Sequence, residues 1–147
     1  MIEKKLLYVI FILFSLCASA DSATDTDLKT IMQDLRSDAA LILDGLLIDD
    51  YDAIANAALK IADHPKLPPE QVALVVAELG SEMAAFKQFD TAVHDLSLAI
   101  QSAALEKDRG RAIASYQQMV GACLACHASF RQRVSTVLNV DPLTMAE

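Results

Sequence analysis

The sequence of 147 residues is poor in several residue types. It has no tryptophan, four glycines and only 5% aromatic residues, although 54% of its residues are hydrophobic. Alanine and leucine make up much of that hydrophobic content, a balance that favours helices over sheets. The length suits one domain that can bury a core of its own. We therefore expect an all-α fold.

Long apolar runs are scarce as well. The longest mainly apolar stretch, from Leu6 to Cys17, has twelve residues, whereas a helix that spans a membrane needs about 20. A membrane anchor is therefore the weaker interpretation of this stretch. A short basic start precedes it, and the small-residue sequence ASA, ending at Ala20, follows it, which is typical of a secretion signal. We expect residues 1–20 to be cleaved and residues 21–147 to form one domain in the periplasm.

Runs of basic residues are absent, and the net charge is negative. The formal charge of the whole chain is −8, and removal of Glu3, Lys4 and Lys5 with the signal takes away one net positive charge and leaves −9. No basic track can follow a phosphate backbone, so nucleic acid is excluded as a partner, and stable association with an anionic membrane is not expected. A partner protein with a basic rim would be attracted instead.

The prolines and a few capping residues divide the chain into helical segments. We expect helices from about Asp27 to Leu47, from an N-cap at Asp49 or Asp50 to before Pro65, from Pro69 to about Lys107, and from an N-cap at Asp108 to before Pro142. An unbroken third helix would be roughly 55 Å long at about 1.5 Å per residue, so we expect a bend or an overhang near Gly80. The predicted inward side of this helix includes Val72, Val75, Val76 and Leu79.

Four amphipathic helices with short connections predict an antiparallel up-down-up-down four-helix bundle. The apolar positions of the third helix also repeat every seven residues, which indicates left-handed packing. The alternative is a looser helical hairpin that oligomerises. In the bundle, the C-terminal half of the last helix faces the N-terminal part of the first.

Two cysteines and a histidine stand together in GACLACHASFRQR, residues 121–133. On a helix, Cys123, Cys126 and His127 occupy positions i, i+3 and i+4 and project from one face. Two thiols at this spacing can add to the two vinyl groups of a haem, and the adjacent imidazole can reach its iron. The motif predicts one covalently bound haem c on the last helix.

Three other interpretations of the motif are weaker. A thioredoxin-like redox pair stands at the start of a helix after a strand, and no strand pattern is present here. A zinc site needs four ligands, and only His64 and His94, both far away in the sequence, remain to complete it. The third is a chance pattern in a helical core. Haem attachment also explains why both cysteines of the mature chain lie within one pentapeptide.

The stretch CLACHASFR near the end of an exported helical chain resembles the class II cytochromes c, the cytochrome c prime family. In that family a C-terminal CxxCH is followed by an aromatic residue and then a basic one. The resemblance covers residues 25–138, mostly as a pattern outside the motif. It implies that His127 is the proximal iron ligand, that Cys123 and Cys126 are thioether anchors, and that Arg131 places a positive charge near the imidazole.

The first helix of this family holds the residue on the other side of the iron. That residue is either a methionine that ligates iron or a side chain that leaves the iron open to small gases. Met32 matches the methionine branch, and the resemblance therefore implies a low-spin electron carrier with Met32 as second metal ligand. Core packing is the alternative role for Met32, with Met83 as the substitute ligand. The sequence departs from the family at Leu28, where members often carry an arginine.

These observations predict a periplasmic c-type cytochrome that carries single electrons, with His/Met ligation and one haem per chain. The alternative is a five-coordinate haem protein that binds nitric oxide or another small gas. We do not expect an enzyme, because no distal histidine and arginine pair is present to activate peroxide. A redox protein is the expected partner, and the sequence leaves monomer and homodimer open.

Overall fold

The computed structural model describes residues 27–140, and this part of the chain consists of helices joined by short connections, without a strand. Its elements are α1 (Leu28–Ile48), α2 (Tyr51–Ala62), α3 (Pro69–Leu79), a 3₁₀ turn (Gly80–Glu82), α4 (Met83–Leu105) and α5 (Arg109–Val137). The predicted all-α class is confirmed for these residues. None of the helices within 27–140 is long and apolar enough to cross a membrane. The predicted signal, residues 1–20, and Pro142 lie outside the described residues.

Aspartates begin three of the helices. In each case a side-chain carboxylate accepts a hydrogen bond from a backbone N–H in the first turn, which satisfies a donor that has no partner within the helix. The caps predicted at Asp50 and Asp108 are therefore confirmed, whereas Asp49, the other cap predicted for α2, ends α1 instead. The three pairs are Asp27 with Thr30 at 2.8 Å, Asp50 with Ala53 at 3.0 Å, and Asp108 with Arg111 at 3.0 Å.

The third predicted helix is interrupted where a bend was expected. Gly80 has φ 51° and ψ −119°, a conformation that a side chain disfavours, and it ends α3. Only Val75 and Leu79 of α3 are buried. The predicted inward positions Val72 and Val76 are wrong, since they are 40% and 45% exposed.

The helices pair unevenly. α1 packs closely on α2, α2 on α4, and α4 on α5, whereas α1 and α5 approach each other sparsely. The polar contacts between α1 and α5 join the start of α5 to the end of α1, and the first half of α5 to the middle of α1. The Tyr116 hydroxyl donates to the Ala39 carbonyl at 3.1 Å, and the Arg109 guanidinium donates to the Leu46 carbonyl at 3.4 Å.

The buried side chains form two clusters. The large cluster joins α1, α2, α4 and the first half of α5, and it confirms the predicted inward residues of α2. Its members are Ile42, Leu46, Ile54, Ala55, Ala57, Ala58, Ile61, Ile100, Ala103, Ala104, Ala112 and Met119. The small cluster joins the start of α1, the end of α3 and the second half of α5. Its members are Leu28, Val75, Leu79, Phe130 and Val134.

Candidate functional site

The two cysteines of α5 lie where the two clusters meet. Cys123 packs against the large cluster, and Cys126, one turn later, packs against the small cluster. Both thiols are half-buried and neither forms a disulfide. Their spacing of three residues brings them to the same side of α5. A group bonded to both sulfurs would therefore lie over the junction of the clusters.

Burial keeps both thiols in the protonated form. It raises the pKa of Cys123, and burial, followed by the nearby charges of Cys123 and Asp90, raises the pKa of Cys126 to about 11. Redox-active CxxC pairs have a thiol pKa lowered by a helix N-terminus or a positive group. The cysteines lie in the middle of α5 instead. Their surroundings therefore oppose the thioredoxin-like interpretation.

His127 lies at the exposed margin of this face. Each residue turns the helix by about 100°, so Cys126 and His127 lie on either side of the direction in which Cys123 points. Cys126 is half-buried, whereas His127 reaches solvent. Partial desolvation and the positive charge of Arg131 lower the pKa of His127. The imidazole is therefore neutral at neutral pH, which is the form that can donate a lone pair to a metal. The structure thus brings Arg131 close enough to His127 to act on it.

Met32 packs against the small cluster from α1. It is half-buried, and Cys126 packs on the same cluster from α5. Met83, the first residue of α4, is a third neighbour of this cluster. Met119 belongs to the large cluster instead, where its sulfur accepts a hydrogen bond from the Ser97 hydroxyl at 3.2 Å. Two thioethers therefore share the surroundings of Cys126.

Three phenylalanines line the same region. The ring of Phe130 meets Phe86 edge-on at a centroid distance of 5.6 Å and Phe89 at 6.1 Å. Aromatic rings packed in this way present a large apolar surface with defined geometry. Sequence reasoning missed Phe89, although its position three residues after Phe86 places both rings on one side of α4.

A histidine and aspartate pair also lies near the thiols. His64 Nε2 is 3.5 Å from Asp90 Oδ1, and its Nδ1 is 2.8 Å from the Pro65 carbonyl oxygen. The hydrogen bond to Asp90 raises the pKa of His64, and Asp90 also acts on the thiol of Cys126. His94 is exposed and lies 2.9 Å from Asp95. Asp90 is a neighbour of the site that the sequence pattern did not indicate.

An open groove of about 620 Å³ runs between α1 and the end of α2. Its apolar lining comes mainly from leucines and Ile31, and its polar lining includes Asp34, Lys60 and His64. Neither the two cysteines nor His127, Arg131 or Met32 line it. The groove is therefore not lined by the predicted haem-site residues, although it shares His64 with the pair near the thiols.

The donor set suits a c-type haem. Two thiols without a disulfide, a neutral imidazole and a thioether that shares a cluster with one thiol are the side chains that such a haem uses. Within residues 27–140 no group of three or more His, Cys, Asp or Glu is arranged to hold a bare metal ion. A haem requires no such group, because porphyrin nitrogens supply four of the iron ligands.

No protein-family model, curated protein or solved structure matches the chain. The resemblance to the class II cytochromes c therefore rests on the residues of this sequence. The function has to be argued from the site itself.

Proposed function

We propose that the protein is a class II c-type cytochrome that carries single electrons on one covalently bound haem. One observation carries the proposal: Cys123, Cys126 and His127 occupy one turn of α5, with both thiols unpaired and half-buried at the junction of the two clusters. A haem bound there supplies a centre that accepts and releases one electron.

Each site residue has a distinct task in this proposal. Cys123 and Cys126 would hold the haem through thioether bonds, and His127 would ligate the iron through its neutral imidazole. Partial desolvation and, after it, the positive charge of Arg131 lower the pKa of His127, which would reduce competition from protons for that lone pair. Because His127 is at the exposed margin, one edge of the site would face solvent, which suits exchange of electrons with a partner.

An alternating up-down arrangement of the helices belongs to the same proposal. The contacts of Tyr116 with Ala39 and of Arg109 with Leu46 support antiparallel α1 and α5. Phe130 and Leu28, near the other ends of these helices, share the small cluster. In this arrangement α3 and α4 together take the place of the third helix, and Met32 lies level with the second half of α5.

Met32 is the proposed second ligand of the iron. Its support is that Met32 and Cys126 pack on one cluster from two different helices. If Met32 ligated the iron together with His127, its thioether would favour the reduced iron and raise the reduction potential. Met83 packs on the same cluster and is the second methionine to test, whereas Met119 is fully enclosed in the large cluster.

A gas-binding protein with five-coordinate iron is the second candidate. Met32 already packs against the small cluster as a core side chain does, and methionine fills apolar gaps without ligating anything. In that case the side of the iron opposite His127 would be open to nitric oxide or carbon monoxide. The two candidates share the attachment site and differ only in the role of Met32.

Absorption spectra of the purified protein separate the two candidates. An electron carrier is low-spin when reduced and binds carbon monoxide slowly, because the gas must displace the thioether. Met32→Leu should then give a high-spin spectrum and rapid binding, whereas Met119→Leu, of similar volume, should leave both unchanged. A wild-type protein that is high-spin and binds carbon monoxide rapidly would refute Met32 as a ligand. A low-spin spectrum that survives Met32→Leu would direct the same test to Met83.

Export to the periplasm is proposed from residues 1–20. The mature protein should begin at or near Asp21 in N-terminal sequencing and should be released with the periplasm. Its redox partner would carry a basic rim, because residues 21–147 have a formal net charge of −9 once Glu3, Lys4 and Lys5 are removed from the chain of charge −8. Retention of the uncleaved chain in washed membranes would contradict this part of the proposal.

A further inference from the structure

α3 is the most weakly attached helix near the site. It is 11 residues long and buries only Val75 and Leu79. Its main neighbour is α5, and even these two helices approach each other at few positions. Helices with little buried apolar surface open more readily than the rest of a protein. Something other than burial must therefore help to hold α3 in place.

The two buried residues of α3 are members of the small cluster. There they pack with Leu28 of α1 and with Phe130 and Val134 of α5. Met32, Met83 and Cys126 pack against this same cluster. Removal of α3 would take away two of its five members. The position of α3 therefore controls how well the two thioethers are covered.

One side chain of α5 forms hydrogen bonds at the end of α3 and just beyond it. The guanidinium of Arg133 donates from Nε to Glu78 Oε1 at 3.0 Å, from Nη1 to Glu82 Oε1 at 2.8 Å, and from Nη2 to the Glu78 carbonyl at 3.1 Å. Glu78 lies before the break at Gly80 and Glu82 after it. A planar guanidinium can hold three acceptors in fixed directions, which an ammonium group cannot do.

The start of α3 is held to α1. The backbone N–H of Leu28, the first residue of α1, donates to Gln71 Oε1 at 3.0 Å. This donor has no partner within its own helix, so Gln71 satisfies it from a residue 43 positions away. α3 is therefore fastened near its start by Gln71 and near its end by Arg133, on either side of its two buried residues.

We propose that Arg133 is a positioning residue that fastens α3 across the break at Gly80 and so limits access of small molecules to Met32, Met83 and the haem site. The part of this inference that concerns the haem site rests on the proposed function, and the part that concerns α3 and Met83 does not. Arg133 forms hydrogen bonds with Glu78 and Glu82, and it acts on the methionines through Val75 and Leu79, whose contacts with the small cluster depend on where α3 lies.

The test compares Arg133→Gln with Arg111→Gln in the full mature protein. Arg111 forms a similar exposed pair, 2.8 Å from Glu106, at the start of α5, and serves as the matched control. Arg133→Gln should increase hydrogen exchange of the α3 amides several-fold and should speed oxidation of Met83 by chloramine-T several-fold. Met119, only 1% exposed, should oxidise slowly in every variant. Arg111→Gln should change neither readout, and Arg133→Lys should be intermediate.

Carbon monoxide binding supplies the readout that involves haem. In the reduced protein Arg133→Gln should bind carbon monoxide several-fold faster, while the spectrum without gas stays that of the wild type. Unchanged α3 exchange or unchanged Met83 oxidation in Arg133→Gln would overturn the inference, and so would a looser α3 with an unchanged rate of gas binding. A protein that carries no haem would contradict the proposed function alone, because exchange and oxidation would still decide the role of Arg133.

Discussion

The two buried clusters are built from different side chains. The large cluster consists mainly of isoleucine and alanine, and its members are at most 6% exposed. The small cluster includes Phe130, and its margin holds Met32, Met83 and Cys126, all partly buried. Isoleucine and alanine hold helices at close, defined distances, whereas thioether side chains adapt to whatever lies beside them.

The clusters also differ in what holds their helices together. The large cluster lies among α1, α2, α4 and α5, where the close helix pairings are found. The small cluster depends on α3, which is held by two buried residues and by the polar contacts of Arg133 and Gln71. We therefore expect the large cluster to contribute more to the stability of the fold than the small cluster, beside which the ligand is proposed to bind.

Equivalent truncations in the two clusters should have unequal costs. Ile54→Ala should lower the free energy of unfolding by about 4 kcal/mol and Leu79→Ala by about 2 kcal/mol, within the usual range for such changes. Ile54 is 0% exposed and lies among closely packed helices, so we expect the cavity left by its truncation to stay open. Leu79 is the last residue of a short helix, which we expect to shift and partly fill the cavity left there. Urea unfolding followed by circular dichroism measures both values. An equal or larger loss for Leu79→Ala would remove the distinction between the clusters.

Two glycine substitutions test how closely the helices are packed at two positions. A Cβ added at Gly45 would lie 2.7 Å from Ile54 Cγ1 and 3.0 Å from the Asp50 carbonyl oxygen, so Gly45→Ala should cost about 1–3 kcal/mol. A Cβ at Gly121 meets nothing within 4 Å, so Gly121→Ala should stabilise α5 by about 0.5–1 kcal/mol. Urea unfolding of both variants gives the two changes. A neutral Gly45→Ala would mean that α1 and α2 are not tightly packed.

The smallest expected effect concerns the His64–Asp90 pair. Asp90 raises the pKa of His64, so the stability from this pair is fully present below the ordinary histidine value of 6.5 and is lost as pH rises through the raised value. The hydrogen bond to His64 in turn lowers the pKa of Asp90. The stability from the pair is therefore fully present above the ordinary aspartate value of 3.8, and it is lost in acid as pH falls through the lowered value. Because Asp90 is largely exposed, the pair should contribute less than about 1 kcal/mol.

Urea unfolding at about pH 5.5 and about pH 8.5 tests this window. The difference between the wild type and His64→Gln should be larger at the lower pH. Asp90→Asn should remove the same pH dependence, and the double variant should lose no more than either single one. A difference that grows at the higher pH would show that Asp90 is not the group that stabilises protonated His64.

Helix positions followed from local signals in the sequence. Asp50 and Asp108 mark the starts of α2 and α5 because a short carboxylate satisfies free N–H groups wherever a helix begins. The break at Gly80 was indicated by the length of the predicted third helix. The buried side of α3 was predicted incorrectly, since Val72 and Val76 are exposed. The periodicity continues through Gly80 as in one helix, and it cannot show how two helices separated by a break are oriented.

The chemistry of the site was readable because it lies within one helical turn. Cys123, Cys126 and His127 need only a helix to share a face. Asp90 and Arg133 could not be found in this way, because their contacts join residues of different helices, such as Arg133 with Glu78, 55 positions apart. Charged residues on a helix are common, and only the packed structure selects those that meet.

The most direct test of the central claim is the mass of the α5 peptide that contains Cys123 and Cys126. The mature protein should be produced in a host competent in cytochrome c maturation and digested with a protease before mass spectrometry. The peptide should carry one haem, and this link should be lost when both cysteines are replaced by serine. A peptide of unmodified mass, or one whose two cysteines form a disulfide, would contradict it.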